Sequence, residues 1–186
     1  CPLTLGYYPM IDFNLHIKPA QKDVFLLTSR INDPKLIGDF KKAIDKGVKK
    51  KNNNYKTNVH GKMTSFKYFN KDNNFEKFIS DLNPYFKKIT NKNLQLIDSW
   101  GNILEGKDYV KVHEHAPNLV SGILYLSEGR GTFFHHYNFE VKSEPGVFVL
   151  FDSTIRHEVK QGYFNEKRYS LAFNFNMLSD YKELNQ

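Results

Sequence analysis

The sequence predicts an α+β fold: a helical or mixed first half, then many short strands closing as a β-sandwich or jelly roll. Three observations carry this expectation. Apolar residues recur at helical spacing up to about residue 90 and alternate in strand fashion after residue 94. Gly, Pro, Asn and Asp punctuate the second half at short intervals. Aromatic residues make up 15% of the chain, with 16 Phe and 11 Tyr, and flat side chains suit a pleated surface. A chain of 186 residues fits one domain, 1–186, and can bury a core without staples. Within it, 1–95 reads as a helical or mixed support and 96–177 as the β core.

The elements follow in chain order. Leu3–Tyr8 and Val24–Leu27 are short mixed apolar segments suited to a sheet edge. Asp33-Pro34 is a helix start, and Leu36, Ile37, Phe40, Ala43, Ile44 and Val48 mark one face of a helix running to about Lys50. Lys50 to Asn54 reads as a loop, and Val59 to Phe69 is ambiguous, with alternation near its end. Phe75, Phe78, Ile79 and Leu82 begin a second helix after Asn73-Asn74, continued by Phe86 and Ile89; Pro84 either interrupts it or opens a further turn. Strands are then expected at Leu94–Trp100, Tyr109–His115, Leu119–Leu126, Gly131–Phe134, Val147–Phe151 and Arg168–Phe175.

Composition excludes some classes. Cys1 is the lone cysteine, so no intrachain disulfide forms, which suits a reducing, cytoplasmic setting (the host's, for a viral protein). The apolar runs are strand-sized, so neither a membrane span nor a leader peptide is expected. The net charge of +7 is concentrated at Lys41–Lys51. With Arg scarce and no aromatic-basic groove legible, it reads as a solvated helix face, and a nucleic-acid partner is not expected.

The chemistry lies in the second half. Of the histidines, His113, His115, His135, His136 and His157 fall in the strand-rich part, whereas His16 and His60 stand alone and read as structural or surface. Period two puts His113 and His115 on one face of their strand and Glu114 on the other. His157, after the apolar strand Val147–Phe151, could close a metal site from a neighbouring strand. Three ligands on one side of a metal leave open positions opposite. Arg168 and Ser170 share a face of the last strand, and a guanidinium fork with a nearby hydroxyl suits a carboxylate. Paired surface histidines and a salt-bridged arginine are the bland alternatives. His135 and His136 read as a solvated strand end.

The stretch Gly146-Val147-Phe148-Val149-Leu150-Phe151-Asp152-Ser153-Thr154-Ile155-Arg156-His157-Glu158-Val159, followed by Arg168-Tyr169-Ser170, resembles the distal half of the 2-oxoglutarate/Fe(II)-dependent oxygenases, prolyl hydroxylases above all. Ser121–Leu126 is similar to their central strand and Gly129–Phe134 to the turn and strand that follow. Trp100-Gly101-Asn102 and His113-x-His115 resemble small bacterial and marine-phage members. The resemblance spans roughly residues 96–177 and implies a double-stranded β-helix (jelly roll) with supporting N-terminal helices. It implies Fe(II) on His113 and His157, 2-oxoglutarate held through its far carboxylate by Arg168 with Ser170 and Tyr125, and O2 as oxidant. Ascorbate is a further cofactor of such enzymes. Asn102 and Asn174 are pocket-wall candidates, and Phe148, Phe151 and Phe173 are expected to line the barrel and exclude water.

Position 115 departs from the family pattern, which has Asp or Glu there. Three readings stay open: a three-histidine site of His113, His115 and His157; a bulge that brings in Glu114; or a carboxylate from Asp108 or Asp152. A vacant ligand position would also admit halide. Peptidyl prolyl hydroxylation is the leading expectation, with a protein or peptide substrate. The alternatives are oxidation of a small molecule or nucleotide, a cupin-like metal protein without 2-oxoglutarate chemistry, and a non-catalytic jelly-roll binding module.

Overall fold

The computed structural model describes residues 14–15, 24–49 and 57–178. Leu3–Tyr8, His16, Lys50 to Asn54 and the N-terminal cysteine lie outside them. In chain order the elements are β1 (Asn14–Leu15), β2 (Leu26–Arg30), α1 (Pro34–Val48), β3 (Val59–His60), β4 (Lys62–Met63), α2 (Asn73–Thr90), β5 (Leu94–Gly106), β6 (Tyr109–His113), β7 (Val120–Tyr125), β8 (Gly129–Phe134), β9 (Phe139–Ser143), β10 (Val147–Asp152), β11 (His157–Val159) and β12 (Phe164–Met177). No helix among the described residues is long and apolar enough to cross a membrane.

Both helices start where their caps require. Asp33 accepts a hydrogen bond from the Leu36 amide at 2.9 Å, with Pro34 in the first turn, and Asp72 accepts one from the Phe75 amide at 3.0 Å. α2 ends at Asn91, which takes the left-handed conformation (φ 53°) that terminates helices. Pro84 does not interrupt α2. It is exposed, and Leu82 and Phe86, buried on either side, hold the helix against the sheet through the turn that lacks one backbone donor.

The strands form two antiparallel sheets. One has seven strands in the order β1-β2-β10-β7-β12-β5-β4, the other five in the order β3-β6-β11-β8-β9. From β5 onward the chain crosses from one sheet to the other at each step except between the paired strands β8 and β9: β5, β7, β10 and β12 lie in the larger sheet, β6, β8, β9 and β11 in the smaller. The expected segment near Val24–Leu27 became β2, which pairs with β10 from Leu26 to Arg30. Val59 to Phe69 resolves into two short strands, one on each sheet, followed by a turn. β5 is longer than its alternation suggested and takes in Trp100-Gly101-Asn102 as strand. From β5 onward two strands escaped the sequence reading, β9 and β11, as did the two-residue β1 before them. Only Val141 and Ser143 are buried in β9, and β11 is three residues long, so neither leaves a readable period.

The larger sheet separates two interiors. On one face Phe148, Leu150, Leu124, Leu171, Phe173 and Phe175 pack against Phe40 and Ile44 of α1 and Phe75, Phe78, Leu82 and Phe86 of α2. On the other, Ile123, Val149 and Phe151 meet Phe134 and Val141 of the smaller sheet. Strand parity therefore corrects one expectation. Phe151 does face the space between the sheets, but Phe148 and Phe173 point away from it and pack beneath the helices. Gly122 makes room there, since a Cβ at that position would overlap the Phe173 ring.

Candidate metal centre

Three histidines converge between the sheets. One ligand nitrogen each from His113, His115 and His157 lies within 4.8 Å of the others. His113 ends β6 and His157 begins β11, where the two residues form a direct cross-strand pair. Their ring centroids are 4.3 Å apart, with His115 at 4.9 Å from His113 and 5.1 Å from His157. The Nδ1 of His113 lies 2.7 Å from the Lys111 carbonyl, and that of His157 lies 2.9 Å from the Ile155 carbonyl. A carbonyl can only accept, so each Nδ1 carries the proton and each Nε2 keeps its lone pair for a metal.

His115 reaches the group by a route that strand periodicity did not describe. The strand stops at His113 and the chain turns. The His115 amide donates to the Ser153 carbonyl at 2.8 Å, and its own carbonyl accepts from Asn118. The same turn overturns the placement of Glu114, which lies on the cavity rim beside both histidines instead of on an opposite strand face. The other carboxylates weighed for the third position are engaged in turns. Asp152 accepts from the Thr154 amide at 2.9 Å and Asp108 from the Glu105 amide at 3.0 Å.

Desolvation keeps the histidines neutral. Burial pulls the pKa of His113 down against its carbonyl hydrogen bond, and burial with His113 nearby takes His115 to about 3. His157, the most deeply placed, is held well below the ordinary value by burial first and by its two neighbours second. Neutral imidazole is the form that binds metal. Phe134 stacks on His157 at 5.7 Å and Phe151 meets it edge-on at 4.8 Å, which fixes the ring and dries its surroundings.

An inner cavity of about 50 Å³ runs from the three histidines to Arg168, along a wall that includes Asn102, Thr132 and Ser170. Arg168 is 2% exposed. Its Nε donates to the Arg130 carbonyl at 2.7 Å, and its other nitrogens reach Ser170 Oγ at 3.3 Å and Thr132 Oγ1 at 3.4 Å. All of these partners are neutral, and no salt bridge reaches Arg168 among the described residues. Burial pulls its pKa down, opposed by Tyr125 and Glu140, yet a guanidinium stays charged. A buried cation without a carboxylate is expensive unless an anion completes the site. Asn102 adds a buried Oδ1 with no partner on the same wall.

The remaining expected residues fall nearby, though not all on that wall. Tyr125 lies against Arg168, whose guanidinium carbon sits 5.2 Å from the centre of its ring. Its hydroxyl is beside Thr132 but has no partner in hydrogen-bonding geometry, and burial pushes its pKa to about 12. Asn174 faces a second, outer cavity of about 250 Å³, shared by His113, His115 and Trp100. His135 is drawn 3.1 Å from Glu158, and the His136 ring packs on Tyr137; neither lines the cavities. His60 stacks on Tyr109 at the surface. The sequence reading missed Thr132, whose only signal was its place two residues before Phe134 on an inward-facing strand. It also missed the packing of Trp100 on His115 at 5.8 Å.

No protein-family model matches the sequence, and no curated protein matches it. Solved structures do match. The prolyl-4-hydroxylase of Pseudomonas putida superposes with a TM-score of 0.64 at 14% identity, over 82% of this chain and 92% of that one. The viral collagen prolyl hydroxylase of Paramecium bursaria Chlorella virus-1, in complex with 2-oxoglutarate, gives 0.62 at 13% identity over 81% and 96%. HygX of Streptomyces hygroscopicus, with nickel and 2-oxoglutarate bound, gives 0.64 at 12% identity over 83% of each chain. The fold is that of the 2-oxoglutarate-dependent oxygenases.

Proposed function

We propose that this chain is an Fe(II)- and 2-oxoglutarate-dependent dioxygenase built as one double-stranded β-helix domain with supporting helices. The observation that carries the reading is the buried, carboxylate-free Arg168, which shares one inner cavity with the three neutral histidines. A cation at one end and a ligand cluster at the other suit a slender dicarboxylate that chelates a metal. His113, His115 and His157 would hold the iron, the three-histidine alternative among those open at position 115. Arg168, Ser170 and Thr132 would hold the far carboxylate, and Asn102 would meet the co-substrate from the side. Tyr125 would fix the guanidinium from behind. When bound, iron and 2-oxoglutarate supply the oxidation: O2, 2-oxoglutarate and a C–H bond yield succinate, carbon dioxide and C–OH.

The chain's own part is to bind, orient and keep dry. The carbonyls of Lys111 and Ile155 hold two imidazoles in the metal-binding tautomer. Phe134 and Phe151 pack on His157 and Ile123 lines the inner cavity, so that side of the histidine cluster is apolar. The outer cavity leaves one side of the histidine cluster open to a larger molecule. A peptidyl prolyl residue is the substrate we favour, because two of the matching structures that are covered almost end to end are prolyl hydroxylases.

The test is succinate release under Fe(II), 2-oxoglutarate, ascorbate and O2, with and without proline-containing peptides, for wild type, His157→Ala and Arg168→Ala. Release by wild type that both substitutions abolish supports the enzyme, and peptide-dependent stimulation supports the substrate. Binding of neither iron nor 2-oxoglutarate by the wild type would leave a jelly-roll binding module.

A further inference from the structure

The outer cavity carries a charge opposite to that of the chain. The protein has a net charge of +7, yet no Lys or Arg lines this cavity among the described residues, and its formally charged residues are Asp98 and Glu114. Asp98 ends a built chain of hydrogen bonds. Asn174, 3% exposed, donates from Nδ2 to Asp98 Oδ1 at 2.8 Å, and its Oδ1 accepts from Ser121 Oγ at 2.7 Å. Ser121 Oγ lies in turn 2.7 Å from Ser153 Oγ. The carboxylate is thus held in one orientation before any ligand arrives, which lowers the cost of binding. Burial raises its pKa, with Asn174 and then Lys67 pulling it back, and no salt bridge reaches it among the described residues. It is a half-buried carboxylate without an ion-pair partner among the described residues.

An aromatic wall stands beside it. Phe66 meets Trp100 edge-on at 5.1 Å, and both line the same cavity. An indole face next to a carboxylate suits the aliphatic stem and charged head of a basic side chain. Glu114, exposed at the rim, adds to the same field.

We propose that the outer cavity selects a cationic group on the substrate, the ammonium or guanidinium of a basic residue beside the peptide residue to be oxidised, and that Asp98 determines this specificity. The identity of the oxidised residue rests on the oxygenase reading; the charge selection belongs to the cavity itself.

Trp100 is the chain's single tryptophan and lines both cavities, so its fluorescence is followed in protein already saturated with Fe(II) and 2-oxoglutarate, where a further change reports the peptide. The full chain, loaded with Fe(II) and 2-oxoglutarate without oxygen, is titrated with capped alanyl-prolyl-lysine, alanyl-prolyl-norleucine and alanyl-prolyl-glutamate. The wild type is expected to bind the lysine peptide at least about tenfold more tightly than the norleucine peptide, with the glutamate peptide weakest. Asp98→Asn, which keeps an acceptor for Asn174, should compress the lysine preference to about threefold or less. Glu114→Gln, at an exposed site that the fold does not need, should reduce it about twofold. No lysine preference in the wild type, no binding of the lysine peptide, or a preference undiminished in Asp98→Asn would overturn the proposal. So would an Asp98→Asn variant that loses iron affinity but not the peptide preference, since the carboxylates would then serve the metal's charge. Succinate release measured alongside separates the two readings. Charge selection without succinate would sink the oxygenase and spare the cavity; succinate without charge selection would do the reverse.

Discussion

The two faces of β12 show how differently neighbouring residues can be used. Tyr169, Leu171, Phe173 and Phe175 point to the helices and join a large apolar cluster. Arg168, Ser170, Ala172 and Asn174 point between the sheets and line the two cavities. Both sets are buried, so burial alone does not distinguish them. The outer face gains from every apolar contact it makes. The inner face keeps a cation, a hydroxyl and an amide out of water, the cation with neutral partners only, a cost that a packing surface would not carry. The lesson is that buried polarity, and not burial, marks the working side of β12.

Substitutions can break or sharpen that contrast. The largest stability effect is expected on the outer face: Phe173→Ala, at a fully buried ring touching Phe75, Phe78 and Phe175, should cost about 3–5 kcal/mol in urea denaturation. On the inner face the sign should reverse. Arg168→Met is expected to leave the ligand-free protein as stable as wild type or up to about 4 kcal/mol more so, because an unpaired buried cation is removed. The same variant should lose about a hundredfold or more in 2-oxoglutarate affinity by calorimetry. A loss of stability as large as that of Phe173→Ala would show that Arg168 is a packing residue and end the contrast. Gly122→Ala should cost about 1–3 kcal/mol, since the new methyl must displace the Phe173 ring. Asp72→Ala, which removes the α2 cap away from both cavities, should lower the melting temperature by the equivalent of about 1 kcal/mol and leave 2-oxoglutarate affinity unchanged.

Much of the fold was legible. Helical spacing, with Asp33-Pro34 ahead of α1 and Asn73-Asn74 ahead of α2, located both helices, and alternation located most strands of the larger sheet, because long elements with one buried face repeat their period several times; the cap of α2 is Asp72, one residue earlier than the signal read. β9 and β11 were missed because three to five residues hold too few repeats. Pro84 was ambiguous because a proline weakens a helix locally, while the packing of Phe86 that sustains α2 is a long-range contact.

The candidate site divides in the same way. Residue types and local spacing singled out His113, His115, His157, Arg168 and Ser170, since the same-strand pair Arg168 and Ser170 needs only period two to share a face. Local spacing failed one residue past the end of β6. Glu114 was assigned to the far face, but the turn anchored by Ser153 brings it to the rim. Phe148 and Phe173 were assigned to the barrel lining, yet which face of a doubly buried strand meets which layer depends on what packs there.

By itself, then, the sequence determined the element types, the caps and the chemical inventory, because these depend on neighbours within a few residues along the chain. Tertiary structure decided which side of the larger sheet the helices cover and that His113 and His157 stand directly opposite each other. It also decided that Arg168 is buried without a carboxylate and that Asp98 is tied through Asn174 to the outer cavity. Those outcomes arise from contacts between residues tens of positions apart, whose pairing is set by how the two sheets close on each other and leaves no period in the sequence.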